Sequence, residues 1–157
     1  MKLPRRRRLE AKTDYKSRLA LLKSEKPRLV VRKSNKYITV QIVKSELAQD
    51  KTIVGLTSKS LLSKGWPKEM AGSLKSLPAA YLAGIMLGKM ALKANVKEAI
   101  VDLGMNRNIK NSRLYAVLKG TLDAGMSIPC DKSSLPTMEI IKNEKIKGVF
   151  DKVAGEL

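Results

Sequence analysis

Two β-branched runs, Arg28-Leu-Val-Val-Arg-Lys and Tyr37-Ile-Thr-Val-Gln-Ile-Val-Lys, flank the short polar segment Ser34-Asn35-Lys36. This pattern predicts a β-hairpin, with Asn35 suited to a left-handed turn conformation. A third strand is expected over Lys51 to Ser58, where Thr52, Val54 and Leu56 alternate against Ile53 and Thr57, and Gln49-Asp50 reads as the turn before it. The three strands make an antiparallel meander. Upstream, Thr13-Asp14 offers a cap for a helix to about Ser24 with Tyr15, Leu19 and Leu22 on one side, and Pro27 marks the start of the first strand.

Downstream the period changes. Residues 59–77 are punctuated by Gly65, Pro67, Gly72 and Pro78 and read as a surface loop, with a helical turn at Ser60 to Lys64. Pro78 then sits in the first turn of a strong helix to about Ala94, where Leu82, Met86 and Met90 repeat at helical spacing. Gly84 and Gly88 are small enough for this helix to lie close on a sheet. Lys97 to Leu103 is a short apolar strand suited to a buried central position, and Gly104 to Asn111 is a polar loop. Ser112 caps a second helix through Asp123, closed by Ala124-Gly125. Beyond Pro129 the chain is irregular, with a weak helix around Met138 to Val153. The order βββαβα implies an α/β (α+β) fold: one mixed sheet from the meander plus a further strand, two main helices on a face, and a basic N-terminal arm. The expected division is 1–24 for the arm with its short helix, 25–128 for the core and 129–157 for an irregular and helical extension.

Charge changes the picture more than size does. Of 157 residues, 32 are Lys or Arg and 14 are Asp or Glu, a net charge of +18. The stretch from Met1 to Lys36 alone holds 14 of the bases and 3 of the acids. Pro4 and the arginine run neither nucleate a helix nor supply core, so residues 1–12 read as a disordered arm. A basic arm joined to a folded basic edge is the electrostatic footprint of a nucleic-acid binder. The 4% aromatic content argues against a base-stacking platform. With no histidine and one cysteine, Cys130, Cys/His zinc sites and intrachain disulfides are excluded within one chain, and a reducing cytoplasm fits. No secretory signal is expected, and no cofactor. The greasiest stretch, Pro78 to Ala94, is too short to span a bilayer and carries Lys89 and Lys93, so no membrane partner is expected.

Enzyme chemistry finds little support. No glycine-rich phosphate loop is present, Cys130 has no histidine to activate it, and Asp102 at the end of the fourth strand has no partner acid nearby; the plainer reading of Asp102 is a loop-fixing carboxylate. The basic residues form three groups. Arg5, Arg6, Arg7 and Arg8 suit an arm threading between phosphates. Lys12, Tyr15, Lys16 and Arg18 lie on the first helical segment, where Lys12 and Lys16 at i, i+4 repel unless an anion is bound. Arg28, Arg32, Lys33, Ser34, Asn35, Lys36 and Tyr37 make up the hairpin; Arg28 and Arg32, four apart in one strand, face the same way, and Tyr37 is placed to stack on a base or ribose. The plainer alternative for the hairpin is an edge strand protected by charge.

The runs Arg5-Arg-Arg-Arg-Leu-Glu-Ala-Lys-Thr-Asp-Tyr, Arg18-Leu-Ala-Leu-Leu-Lys-Ser and Pro27-Arg-Leu-Val-Val-Arg-Lys-Ser-Asn-Lys-Tyr resemble the large-subunit ribosomal protein family that binds 5S rRNA, in its archaeal and eukaryotic branch. Pro78-Ala-Ala-Tyr-Leu-Ala-Gly, Glu98-Ala-Ile-Val-Asp-Leu-Gly and the segment from Ser112 to Pro129 extend the resemblance over about residues 5 to 130. It implies a structural, non-enzymatic protein of the cytoplasmic ribosome that anchors 5S rRNA in the central protuberance. Large-subunit rRNA and neighbouring ribosomal proteins would lie beside it, and the isolated chain would be a monomer. The arm, the Lys12-to-Arg18 segment and the Arg28-to-Tyr37 hairpin would contact RNA, with Arg113 and Lys119 as weaker candidates. The Glu139-to-Gly148 stretch and the loop Met105 to Asn111 depart from the family pattern. The alternative is a generic basic architectural protein, against which stand the lack of a helix-turn-helix, a repeat or an intercalating wedge.

Overall fold

The computed structural model describes residues 3–46, 49–142 and 146–156. Three antiparallel-linked strands, β1 (Arg28–Lys33), β2 (Ile38–Glu46) and β3 (Gln49–Thr57), form the expected meander, and β4 (Ile100–Asp102) joins parallel to β1. The sheet order is β3-β2-β1-β4. The short apolar strand β4 is therefore an edge and not a centre; β1 lies inside the sheet, with Leu29 and Val31 fully buried between two neighbouring strands. The sequence suggests a central β4 from its apolar content. Of its apolar residues, Val101 pairs with Leu29 on the core face and is partly buried against the core, while Asp102 projects to the other face.

One face of the sheet carries the core. Leu29 and Val31 of β1, Ile38, Val40 and Ile42 of β2 and Leu56 of β3 point to it and are buried. On this face lie α3 (Leu77–Lys93), against β2 and β3, and α4 (Arg113–Asp123), against β1. The close approach of Gly84 and Gly88 is to α4 and not to the sheet. A Cβ on Gly84 would collide with the Val117 carbonyl, one on Gly88 would meet the Ala124 side chain at 2.6 Å, and one on Gly120 would collide with the Tyr81 carbonyl. Backbone lies on backbone there, which only glycine allows. Of the helical repeat Leu82, Met86, Met90, the first is buried and the last is exposed.

A bulge settles the opposite face. Ile42 pairs Val54, but Val43 pairs Thr52, leaving Ile53 unpaired. The expected alternation of Thr52, Val54 and Leu56 is thus broken at Ile53, and every β3 residue before it turns to the other side. Gln49 and Asp50, expected as a turn, are the first residues of β3 and pair with Glu46 and Ser45. Asn35 is likewise not left-handed: among the described residues, the non-glycine ones with positive φ are Ala11, Glu25, Asn95 and Asn111. The hairpin is closed instead by Ser34, whose amide and hydroxyl both donate to the Tyr37 carbonyl.

Three other segments are more ordered than their sequence suggests. Residues 59–77 are not a plain surface loop but two 3-10 helices, Ser58–Lys64 and Lys68–Ser73, that bury Leu61, Trp66 and Leu74 in and around them. The arginine run makes one helical turn, α1 (Arg6–Leu9), stabilised by its own good helix formers and by Arg6 paired with Glu10 at 3.6 Å. Next, α2 (Tyr15–Leu22) is capped by Asp14, which accepts from the Lys16 and Ser17 amides. Lys12 precedes α2, so the expected i, i+4 repulsion with Lys16 does not arise, and Leu19 is exposed and not part of a buried face. At the far end, α5 (Met138–Ile141) and α6 (Lys147–Glu156) place Ile141, Phe150 and Val153 in the main core, with Phe150 stacked on Tyr81 at 5.7 Å.

The glycine packing predicts a clear contrast. Gly120→Ala should destabilise the protein by about 1–3 kcal/mol or more through overpacking, because the new methyl meets α3 backbone. Gly148→Ala, in α6 with open space around it, should stabilise by roughly 0.5–1 kcal/mol. Chemical denaturation of both variants checks the pair.

Candidate nucleic-acid interface

Asp102 stands opposite Val30 in the β4–β1 ladder, so its side chain emerges between those of Arg28 and Arg32, two residues to either side on the same face. Arg28 Nη1 donates to Asp102 Oδ2 at 2.8 Å, and Arg32 Nη2 donates to Oδ1 at 2.8 Å. Arg32 Nη1 donates to the Asp102 carbonyl at 2.7 Å and to the Val31 carbonyl at 2.9 Å. The Gly104 amide closes the turn on Asp102 Oδ1 at 2.9 Å. Asp102 is thus the loop-fixing aspartate that the sequence suggests. It is also the hub of an ion-pair network that the sequence does not reveal.

The bulge at Ile53 brings a second carboxylate to this face. Asp50 Oδ1 accepts from Arg28 Nη2 at 2.8 Å and from the Ser45 hydroxyl, and Asp50 Oδ2 accepts from Arg18 Nη2 at 2.9 Å. Burial opposes ionisation of Asp50, but the hydrogen bonds from Ser45 and Arg28 and the charges of Arg28 and Arg18 outweigh it and hold its pKa below 3.8. Arg18 in turn ties α2 to β3. Arg28, only 3% exposed, has its charge enclosed between Asp50 and Asp102. It leaves the set of residues able to meet RNA, although its spacing from Arg32 suggests that both reach outward.

The other candidates divide by location. Arg7, Lys12, Arg18 and Arg32 converge from the arm, α2 and β1 on one groove of about 740 Å³ beside β4. Arg5 lies over the Tyr15 ring at 4.6 Å, and Arg7 Nε donates to the Thr13 hydroxyl, so the arm is folded back on itself. Arg6, Arg8, Lys16 and the turn residues Ser34, Asn35 and Lys36 are exposed. Tyr37 is half-buried against the core and offers only part of its ring. Lys33 and Arg113 line a second groove of about 540 Å³ with Arg107. Lys119 donates to the Pro136 carbonyl and so braces the C-terminal segment. The sequence does not mark Arg107 as part of a basic surface, because the loop that carries it has no hydrophobic period to fix its place. Among the described residues no cluster of metal-ligating side chains occurs, and no helix is long and apolar enough to cross a membrane.

A buried acid clamped by two arginines beneath a cationic groove is an arrangement for binding and not for turnover. Comparison with known proteins agrees. Residues 1–98 match the family described as ribosomal large subunit proteins 60S L5 and 50S L18. The chain belongs to this family. The large ribosomal subunit protein uL18 of Korarchaeum cryptofilum is 48% identical over 151 residues, covering 96% of this chain and 75% of that one. The uL18 of Methanoculleus marisnigri is 43% identical over 155 residues, covering 99% and 86%, and that of Halobacterium salinarum is 43% identical over 145 residues, covering 92% and 77%. The chain is a structural component of the large subunit of the cytoplasmic ribosome, in a family of ribosomal proteins and not of enzymes.

The network makes two predictions. Asp102→Asn takes from the buried Arg28 one of its two counter-charges, leaving Asp50, and should cost on the order of 2–3 kcal/mol, measurable by denaturant unfolding; a loss below about 1 kcal/mol would contradict the burial argument. Asp50, with its pKa lowered in the folded state, contributes stability that is complete above 3.8, its ordinary value, and is lost as pH falls through the folded value. Acid unfolding followed by tertiary-structure signals should therefore shift when Asp50→Asn removes this group, while stability near neutrality shows no matching pH dependence.

Proposed function

We propose that the protein binds 5S rRNA and helps to anchor it in the central protuberance of the large subunit, beside large-subunit rRNA and neighbouring ribosomal proteins. The observation that carries this reading is the convergence of Arg7, Lys12, Arg18 and Arg32, from three separate elements, on one groove. A charge-driven polyanion binder needs only surface cations. Here the cations are placed by a folded network, which favours a partner of defined shape. A-form RNA offers phosphates and a shallow minor groove, read by arginine and backbone amides and not by a base code. The exposed hairpin turn, Lys33 to Lys36, and the second groove with Arg107 and Arg113 supply further cationic surface at the same end of β1 as Arg32. The arm adds affinity and salt sensitivity, the folded sheet sets register, and the isolated chain is monomeric.

A salt titration tests this reading. Affinities for 5S rRNA, tRNA and duplex DNA of equal length should separate in favour of 5S rRNA at every salt concentration. Equal affinity for all three would reduce the protein to a generic polycation. Removing residues 1–9 should flatten the salt slope by roughly 0.7 for each phosphate that the arm neutralises, and an unchanged slope would exclude the arm from binding.

A further inference from the structure

We infer that the groove beside β4 is a site for one unstacked nucleotide of the bound RNA, gripped at its phosphate by the free edge of Arg32. This rests on the reading that the protein binds RNA and adds what part of the RNA enters the fold, and where.

Arg32 is the central observation. Three of its five N–H groups are committed: both on Nη1 to the Val31 and Asp102 carbonyls, and one on Nη2 to Asp102 Oδ1. Among the described residues, Nε–H and the second Nη2–H have no partner, and the side chain is 45% exposed. Those two donors share one edge of the guanidinium and form the fork that matches two oxygens of a phosphate. The fork is held before any ligand arrives, so little rotamer entropy is lost on binding. Gly104, at φ +62, lies against the guanidinium, and a Cβ there would come within 2.9 Å of Arg32 Cζ. The absence of a side chain at Gly104 is what lets the turn close on Arg32.

The rest of the groove selects the class of ligand. Its cations, Arg7, Lys12 and Arg18, stand with Arg32, while Ala20, Leu21, Ile100, Leu103 and Pro129, each exposed or partly exposed, give it an apolar side. An inorganic anion has no use for that surface, but a base does. Three acids also line it, but none is free: Asp102 is held by Arg28 and Arg32, Asp14 caps the Lys16 and Ser17 amides, and Asp131 caps the Ser133 amide. The volume, about 740 Å³, falls in the range of small-molecule sites, roughly 300–1,000 Å³. A duplex cannot enter such a recess, and an unpaired nucleotide can; unstacked bases are the usual targets of specific RNA recognition.

The test is an NMR titration of the 15N-labelled full chain with each of the four nucleoside 5′-monophosphates, with ribose 5-phosphate and with inorganic phosphate. The nucleotides should move the Arg32 Nε–H resonance together with the Leu103 and Gly104 amides, whereas inorganic phosphate should move Arg32 Nε–H alone. If phosphate or ribose 5-phosphate reproduces the whole pattern, or no nucleotide moves these resonances, the nucleotide site is overturned. Arg32→Lys keeps the charge and removes the fork. It should weaken 5S rRNA binding about tenfold with the salt slope unchanged, its unfolding midpoint confirming that it folds. Wild-type affinity in that variant would also overturn the site while leaving a wild-type preference for 5S rRNA, and so the function proposed above, intact. Loss of that preference with the nucleotide shifts retained would instead overturn the function and keep the groove.

Discussion

Burying the carboxylate of Asp102 between two arginines of the adjacent strand is the constraint on which the rest of this structure turns. A lone carboxylate or guanidinium would not tolerate so deep a position, since desolvation costs several kcal/mol per ion. Paired, they join β4 to β1 by side chains as well as by a ladder only three residues long. The parallel register decides everything at this point. Moved by one residue, Asp102 would project to the core face, among Leu29 and Val31, and both arginines would lose their partner. The bulge at Ile53 has the same logic. It turns Asp50 toward Arg28 and supplies the second acid that a buried guanidinium needs.

The consequence for function runs against simple charge counting. In a chain of net charge +18, acids beside a cationic surface look like a handicap for binding RNA. Asp50 and Asp102 instead hold Arg18 and Arg32 in fixed positions at the groove and keep Arg28 inside. Exposed, unanchored side chains such as Lys16 and Lys36 would neutralise a phosphate without fixing its geometry, whereas Arg32 offers a fixed edge. The helix layer on the far face gives this arrangement a rigid support. Close packing of α3 on α4 through Gly84, Gly88 and Gly120 and the docking of Phe150 on Tyr81 leave the sheet one free face. Residues beyond 129 thus contribute to the core, which their charge-rich, weakly periodic sequence conceals.

Much of the fold is legible in the residues. The β-branched runs fix β1 and β2, the Pro78 start and small residues fix α3, and Asp14 fixes the beginning of α2. Where the structure departs, a tertiary effect overrides a local one. A single bulged residue reverses the face of half of β3, and no propensity marks Ile53 for that role. Gly65 and Pro67 are turn signals, but Trp66 between them is pulled inward, so the segment packs. Arg28 and Arg32 share strand, face and residue type, yet one is buried and the other half-exposed, because only the fold brings Asp50 and Asp102 to the first. The cationic arm is plain from composition; the acids that organise the surface beneath it are not.

Under the proposed function, a buried acid makes Arg32 effective toward RNA, and the 5S rRNA affinity of Asp102→Asn tests this most directly, measured at a temperature where circular dichroism shows the variant folded. This substitution makes the protein one unit more positive. Charge alone would then tighten binding, and tighter or equal affinity would contradict the account. If Asp102 sets the geometry of Arg32, affinity falls despite the added charge, and that is the result predicted.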